Sequence, residues 1–327
     1  MAKSIALAIL HQGLVRNHNE DNLYILDAIA PAAHDANFER SAASMASPQI
    51  FAVTDGMGGR GIGDTASQAV LRILDQQRRR LRPGTRLDFN TFARDVVDLA
   101  NRSVCDLLAP YEGLPVGTTL TLLAIDRDTA YTMSLGNSRV YLYRDGQLIR
   151  LTEDHVGQLP DRRRLTRYLG FLAEGGMADV ENMTRTALIR GDIFLLATDG
   201  LTDVVDDEQI AVALADPSAF VRQIRHLRDL ALQQGGRDNL AVIGIRIIDP
   251  SVDETIGTTG RLPRVRGFVR GRPYAGPAVK GSAGYLADSR LRRVMRPILF
   301  FLAFVLLGLL LGKLAFSMPA WLTLLFG

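Results

Sequence analysis

The sequence predicts an α+β fold of largely antiparallel sheets with segregated helices. Three observations lead there. Strand-like apolar runs follow one another as hairpins, most clearly Arg139–Arg144 and Gln147–Leu151 around the turn pair Asp145-Gly146. No regular β-α-β alternation runs through the chain. Helical spacing is confined to two blocks, one before residue 110 and one after residue 205.

The elements follow in order. Ser4–Leu10 and Ile50–Thr54 read as strands. Asp64 is placed to cap a helix in which Ala66, Ala69, Val70, Ile73 and Leu74 keep helical spacing. That helix ends in Arg78-Arg79-Arg80, where cations suit the helix dipole. A second helix covers Phe89–Leu108, with Phe92, Val96, Leu99 and Val104 on one side. Strands at Thr118–Ile125 and Ala130–Leu135 precede the hairpin. Ile193–Ala197 is a strand, Asp207–Ala215 and Ser218–Gln233 are helices, and Asn239–Ile247 is a closing strand. No internal repeat is present.

Of the 327 residues, 47% are hydrophobic and 22% charged, which excludes a wholly disordered or collagen-like chain. The single cysteine, Cys105, excludes a disulfide framework and a cysteine-rich zinc site. The net charge of +3 is unevenly spread. Residues 1–248 hold 27 basic and 31 acidic side chains, a net of −4. Residues 249–296 hold ten basic and four acidic ones, a net of +6. A folded part of net negative charge does not fit a nucleic-acid binder.

Three segments follow from this division: a folded domain at 1–248, a basic flexible linker at 249–296 rich in glycine and proline, and an apolar segment at 297–327. Ile298–Gly312 is an unbroken apolar run, and a helix extended to about residue 316 is expected to cross a bilayer with Lys313 snorkelling. Trp321 then falls at the headgroups. The basic cluster Arg290–Arg296 precedes the run, which puts residues 1–296 in the cytoplasm of a single-pass inner-membrane protein. No signal peptide opens the chain.

The chemistry is expected at acidic residues where strands run into turns. Ile50–Thr54 ends in Asp55-Gly56-Met57-Gly58-Gly59, and Ile193–Thr198 ends in Asp199-Gly200. Gly236-Arg237-Asp238-Asn239 precedes the last strand, and Arg16-Asn17-His18-Asn19-Glu20-Asp21 lies near the start. A single Asp-Gly is an ordinary turn. Several carboxylates at one sheet mouth repel each other unless a divalent cation neutralises them, and oxygen-only ligands suit magnesium or manganese. Glycine lets the backbone approach such an ion. Arg16 carries the guanidinium geometry that binds phosphate oxygens bidentately.

These motifs occur in one order with Gly117-Thr118-Thr119, Gly136-Asn137-Ser138-Arg139-Val140-Tyr141 and Leu151-Thr152-Glu153-Asp154-His155. In this combination residues 4–248 resemble the type 2C metal-dependent serine/threonine protein phosphatases, in particular the bacterial branch. The resemblance implies a four-layer α-β-β-α sandwich with two central antiparallel sheets. It implies a centre of two manganese or magnesium ions in which Asp55 bridges both, Gly56 offers its carbonyl, and Asp199 and Asp238 are ligands. Glu20 and Asp21 would hold metal-bound waters or a ligand, and Arg16 would bind the phosphate of phosphoserine or phosphothreonine. The implied reaction is in-line attack by a metal-bridging hydroxide without a phosphoenzyme. The implied partners are phosphorylated proteins, a serine/threonine kinase at the same membrane, and the bilayer through residues 297–327.

Three departures from the family pattern stand out. Asn137 replaces an aspartate that serves a third metal in many relatives. Met57 stands where eukaryotic members have a histidine, and His18 is a loop histidine nearby. Only about nine residues separate His155 from Leu165-Thr166-Arg167, so the flap is short and the cleft is expected to be open. A catalytically weak or inactive phosphatase-like binding module is the competing reading. The presence of Asp55, Asp199 and Asp238 together with Arg16 favours an enzyme.

Overall fold

The computed structural model describes residues 1–31, 37–58, 62–82, 84–109, 116–159, 162–170 and 183–250. The expected linker, apart from its first two residues, and the apolar segment at 297–327 lie outside them. Among the described residues no helix is long and apolar enough to cross a membrane.

The first half of the chain forms β1 (Lys3–His11), β2 (Asp21–Ile25), β3 (Ala28–Ile29), β4 (Phe38–Ser44), β5 (Gln49–Met57), α1 (Ile62–Arg80), α2 (Phe89–Leu108), β6 (Gly117–Thr118), β7 (Leu120–Asp126) and β8 (Thr129–Leu135). The second half forms β9 (Arg139–Arg144), β10 (Gln147–Arg150), β11 (Val156–Leu159), β12 (Arg162–Leu165), β13 (Thr184–Ala187), β14 (Ile193–Ala197), α3 (Asp199–Thr202), α4 (Asp207–Ala215), α5 (Phe220–Gln233) and β15 (Leu240–Asp249).

The strands make two antiparallel sheets, ordered β10-β9-β14-β15-β1-β4 and β13-β8-β7-β5-β2-β3, and β11 and β12 form a separate hairpin. Alternating side chains send each central strand into two cores at once. Phe51 and Val53 of β5 meet Phe194 and Leu196 of β14 between the sheets. Ile50 and Ala52 pack outward against Val70, Leu71 and Leu74 of α1 and Val96 and Val97 of α2. Ile193, Leu195 and Ala197 pack outward from the other sheet against Ile210 of α4 and Ile224 and Leu227 of α5. Three apolar cores thus separate four layers, helix, sheet, sheet and helix. Burial on both faces explains why β5, β7, β14 and β15 read as continuous apolar runs.

Several boundaries differ from the sequence reading. α1 starts at Ile62, so Asp64 lies in its first turn and does not cap it. α2 has the expected span, and Asp88 caps it by accepting a bond from the Thr91 amide. Ala93, Val97 and Ala100 reach its core, whereas Leu99 is only half-buried. β5 runs past Thr54 through Asp55 to Met57 because β2 and β6 pair with that extension.

Phe194 is fully buried between the sheets. Phe194→Ala is expected to lower the unfolding free energy by about 3–5 kcal/mol in urea denaturation, through lost transfer energy and a residual cavity. A loss below about 1 kcal/mol would contradict a close-packed inter-sheet core.

Candidate metal centre

Four strand ends converge. β2 begins at Asp21 and β5 passes through Asp55, and the two residues are direct register partners. β14 delivers Thr198 and Asp199 to the same end of the molecule, and Asp238 and Asn239 lead into β15. The Thr198 hydroxyl joins the sheets by donating to Asp21 Oδ2 at 2.7 Å, while its oxygen accepts from the Ala241 amide at 2.9 Å.

Like charges opposite one another on a strand pair are destabilising. Burial, then the charge of Asp199 and then that of Asp21, push the Asp55 carboxyl well above the usual carboxylate range. Asp21 is pushed up in the same way, first by burial and then by Asp199 and Asp238, against the favourable Thr198 bond. Asp199 is raised to about 6, chiefly by burial. Glu20 is raised as well, first by burial.

A set of neutral donors fixes this cluster. The Asp55 amide donates to Thr119 Oγ1 at 2.9 Å, and its carbonyl accepts from the Thr118 hydroxyl at 3.0 Å. Asn239 is buried, with its Nδ2 donating to the carbonyls of Gln12 and His18, both at 2.8 Å. Its Oδ1 accepts from the Glu20 amide at 2.9 Å. One side chain therefore ties the loop carrying Arg16 and Glu20 to the start of β15. A Cβ on Gly56 would stand 2.1 Å from the Gly63 carbonyl, and one on Gly200 would stand 1.8 Å from the Asn239 carbonyl. Glycine at both positions lets the site-bearing backbones touch.

The Arg16 Nη2 donates to Asp238 Oδ2 at 2.7 Å from a half-exposed position at the rim. Asn137 Nδ2 donates to Asp199 Oδ2 at 2.8 Å, so an amide donor, not a carboxylate, stands beside Asp199. Among the described residues no three His, Cys, Asp or Glu side chains form a group that could hold an ion as they stand. The donor set nevertheless fits a hard cation. It is all oxygen, the charges of Asp199, Asp21, Asp238 and Glu20 add to burial in raising the Asp55 carboxyl, and Glu20 Oε1 is buried with no hydrogen-bond partner.

All eight sequence-derived positions lie in this region: Arg16, Glu20, Asp21, Asp55, Gly56, Asn137, Asp199 and Asp238. Sequence reasoning assigned no role to Thr118, Thr119, Thr198 or Asn239. Their signal was adjacency, since each sits next to a motif Asp or pairs with its strand. His18 is exposed, and Met57 is half-buried at the end of β5. Two further motifs prove to be joined. Arg139 grips Asp154 with three contacts of 2.8–3.2 Å and the Tyr141 hydroxyl at 3.0 Å, and Tyr141 donates to Asp207 at 2.8 Å.

Buried and partly buried carboxylates suited to hard divalent cations, with a guanidinium at the rim suited to phosphate, are compatible with a metal-dependent phosphoester site. Residues 28–188 match the sequence model of the family Protein phosphatase 2C. The serine/threonine protein phosphatase PstP of Mycobacterium tuberculosis is 31% identical over 255 residues, covering 75% of this chain and 45% of PstP. The chain thus spans under half the length of that relative. The crystal structure of Mycobacterium tuberculosis PstP/Ppp matches with a TM-score of 0.59 at 28% identity, over 75% of this chain and 99% of that one. A PstP catalytic domain in complex with two manganese ions matches with a TM-score of 0.58 at 27% identity, over 76% and 100%. The chain is thus similar to the protein phosphatase 2C family over residues 28–188 and to serine/threonine phosphatases of the PstP type over three quarters of its length.

The raised carboxyls give a pH dependence with a definite sign. Below the unfolded pKa near 3.8 both states are protonated and these groups carry no penalty. As pH rises toward about 6 the unfolded chain loses protons that Asp199 retains in the fold, so folding stability falls. In metal-free protein the contribution of this cluster to Tm is therefore expected to decline between about pH 4 and 6, in a wild-type scan compared with Asp199→Asn. Manganese at pH 7 is expected to raise Tm of the wild type. Identical pH profiles for the two proteins would contradict the electrostatic reading.

Proposed function

We propose that this chain hydrolyses phosphoserine and phosphothreonine in proteins with two manganese or magnesium ions, tethered to the inner membrane through residues 297–327. The observation that carries it is the placement of Arg16 beside Asp238, at the rim of the cluster of Glu20, Asp21, Asp55 and Asp199. Asp55, Asp199, Asp238 and the Gly56 carbonyl are the groups assigned to the ions, and Glu20 and Asp21 to their waters. When bound, such ions act as Lewis acids toward a phosphoryl group and lower the pKa of water.

The chain's own residues do the rest. Arg16 leaves Asp238 to take the phosphate, exchanging one charge-assisted pair for another. Thr198, Thr118 and Thr119 hold Asp21 and Asp55 in place, and Asn239 keeps the Arg16 loop at the cluster. The kinship with proteins described as serine/threonine phosphatases, one solved with two manganese ions, supports the substrate class and the metal. The basic cluster Arg290–Arg296 beside the apolar run supports a cytoplasmic catalytic domain, and a membrane serine/threonine kinase is the natural opponent. A catalytically weak binding module is favoured by one observation, the Asn137 amide in place of a carboxylate.

The full chain is expected to hydrolyse a phosphothreonine peptide with manganese and to lose all turnover in EDTA. Asn239→Ala should lower kcat/KM about 10- to 100-fold by loosening the residues around the ions, Asp199→Ala should lower it further, and Arg16→Ala should raise KM. Turnover that survives chelation would contradict the metal mechanism, and no turnover with any divalent metal would favour the binding module. Deleting residues 297–327 should move the protein from membranes to the soluble fraction. A full chain that is already soluble would remove the anchor.

A further inference from the structure

The loop from β1 to β2 brings Arg16 and Glu20 to the carboxylate cluster, and its path is set by contacts outside that cluster. Asn239 Nδ2 holds the carbonyls of Gln12 and His18, and the Leu14 amide donates to the Gly236 carbonyl at 2.7 Å. Gln12 Nε2 donates to the Arg16 carbonyl at 2.6 Å. The Gly13 amide donates at 2.9 Å to Nδ1 of His11, the last residue of β1.

Gly13 is the tightest point of this path. Its φ of +85° lies in the left-handed region, and a Cβ there would stand 2.3 Å from the Asp238 carbonyl. The backbone thus turns against Asp238 three residues before Arg16, whose Nη2 reaches the Asp238 carboxylate at 2.7 Å. Of the groups that hold the loop here, only the imidazole changes its charge with pH. Accepting at Nδ1 requires the neutral ring with its proton on Nε2, because the imidazolium has two donors and no acceptor.

The ring is half-buried, and its surroundings favour that neutral form. Burial first, and the charge of Arg228 second, lower the His11 pKa from its ordinary 6.5, against a smaller opposing effect of Asp229. Both charged residues come from α5. The neighbouring strand β4 contributes Glu39, whose carboxylate lies 3.5 Å from the Arg228 guanidinium. From β15 the apolar Leu240 stands opposite His11, and Asp238 just before it is taken by Arg16. Acidification removes the acceptor for Gly13 and sets a second cation beside Arg228.

We propose that His11 is a positioning residue for Arg16, whose neutral imidazole fixes the Gly13 turn and frees the phosphate-binding loop when it is protonated. The inference rests on the phosphatase reading for the role of Arg16. Glu20 is tied separately, through its amide to Asn239 Oδ1, so the loss falls on phosphate capture and moves KM more than kcat.

The test compares the full chain with manganese against His11→Asn and His11→Phe between about pH 5.5 and 8, the range in which histidine titrates. Asparagine keeps a neutral acceptor at every pH, and phenylalanine has none. The substrate phosphate and the carboxylate cluster titrate in all three proteins, so each constant is read as a ratio to His11→Asn at the same pH. On acidification two wild-type constants are expected to rise about fivefold in that ratio, the loss of one hydrogen bond, with the kcat ratio unchanged. They are KM for a phosphothreonine peptide and Kd for its non-hydrolysable phosphonate analogue by fluorescence polarisation. His11→Phe should show the raised constants throughout the range. In the wild type, the Gly13 amide should lose protection from hydrogen exchange over the same interval, after correction for the intrinsic rate. Gly13 protection that does not change with pH would overturn the proposal, as would parallel KM profiles in the wild type and His11→Asn. The expected Kd profile without hydrolysis would support it and count against the phosphatase reading. If no peptide binds, that reading falls, and Gly13 exchange alone decides whether His11 holds the loop.

Discussion

Asp21 and Asp55 stand directly opposite each other on neighbouring antiparallel strands, and Asp199 and Asp238 are brought to the same end by the second sheet. Four carboxylates in one partly desolvated space repel one another. Burial first, and the neighbouring charges second, raise the pKa values of Asp21, Asp55 and Asp199. The local architecture answers that repulsion. Neutral hydroxyls and amides hold single carboxylate oxygens, Arg16 supplies a positive charge at the rim, and the remaining negative charge suits divalent cations.

The surrounding layers supply the rigidity this requires. A cluster that repels itself spreads unless its backbone is over-determined. Both sheets are buried on their two faces, so the strands that end in Asp55 and Asp199 are anchored by cores on either side. Thr198 and Asn239 then connect what packing alone leaves separate. The first joins β2 to the opposite sheet, and the second joins the Arg16 loop to β15. The Arg139–Asp154 pair does the same for the loop after β10, at the foot of the β11–β12 hairpin. Asn137 holds Asp199 through its amide nitrogen.

Much of this was legible in the sequence because burial on both faces writes itself as a run such as Ile-Phe-Ala-Val or Ile-Phe-Leu-Leu-Ala. The aspartates were legible because they interrupt those runs. The strands that escaped notice lack the signal. β4, Phe38–Ser44, has only half-buried and exposed positions at the sheet edge, and β2 opens on Asp21-Asn22. The start of α1 was misplaced because Ile62 and Gly63 are set by the contact of Gly63 with Gly56, a tertiary constraint with no local signature. Thr198 and Asn239 were hidden for a similar reason. Each is an ordinary turn residue until the partner strand, about 40 or 220 residues away, is known.

A carboxylate cluster suited to divalent cations is protonated in part without them. Calorimetric titration of the full chain with manganese at pH 6, in two buffers of different ionisation enthalpy, addresses it directly. The account predicts two ions per chain, measurable proton release on binding, and loss of both ions in Asp55→Ala. Binding without proton release, or the same stoichiometry in Asp55→Ala, would contradict it.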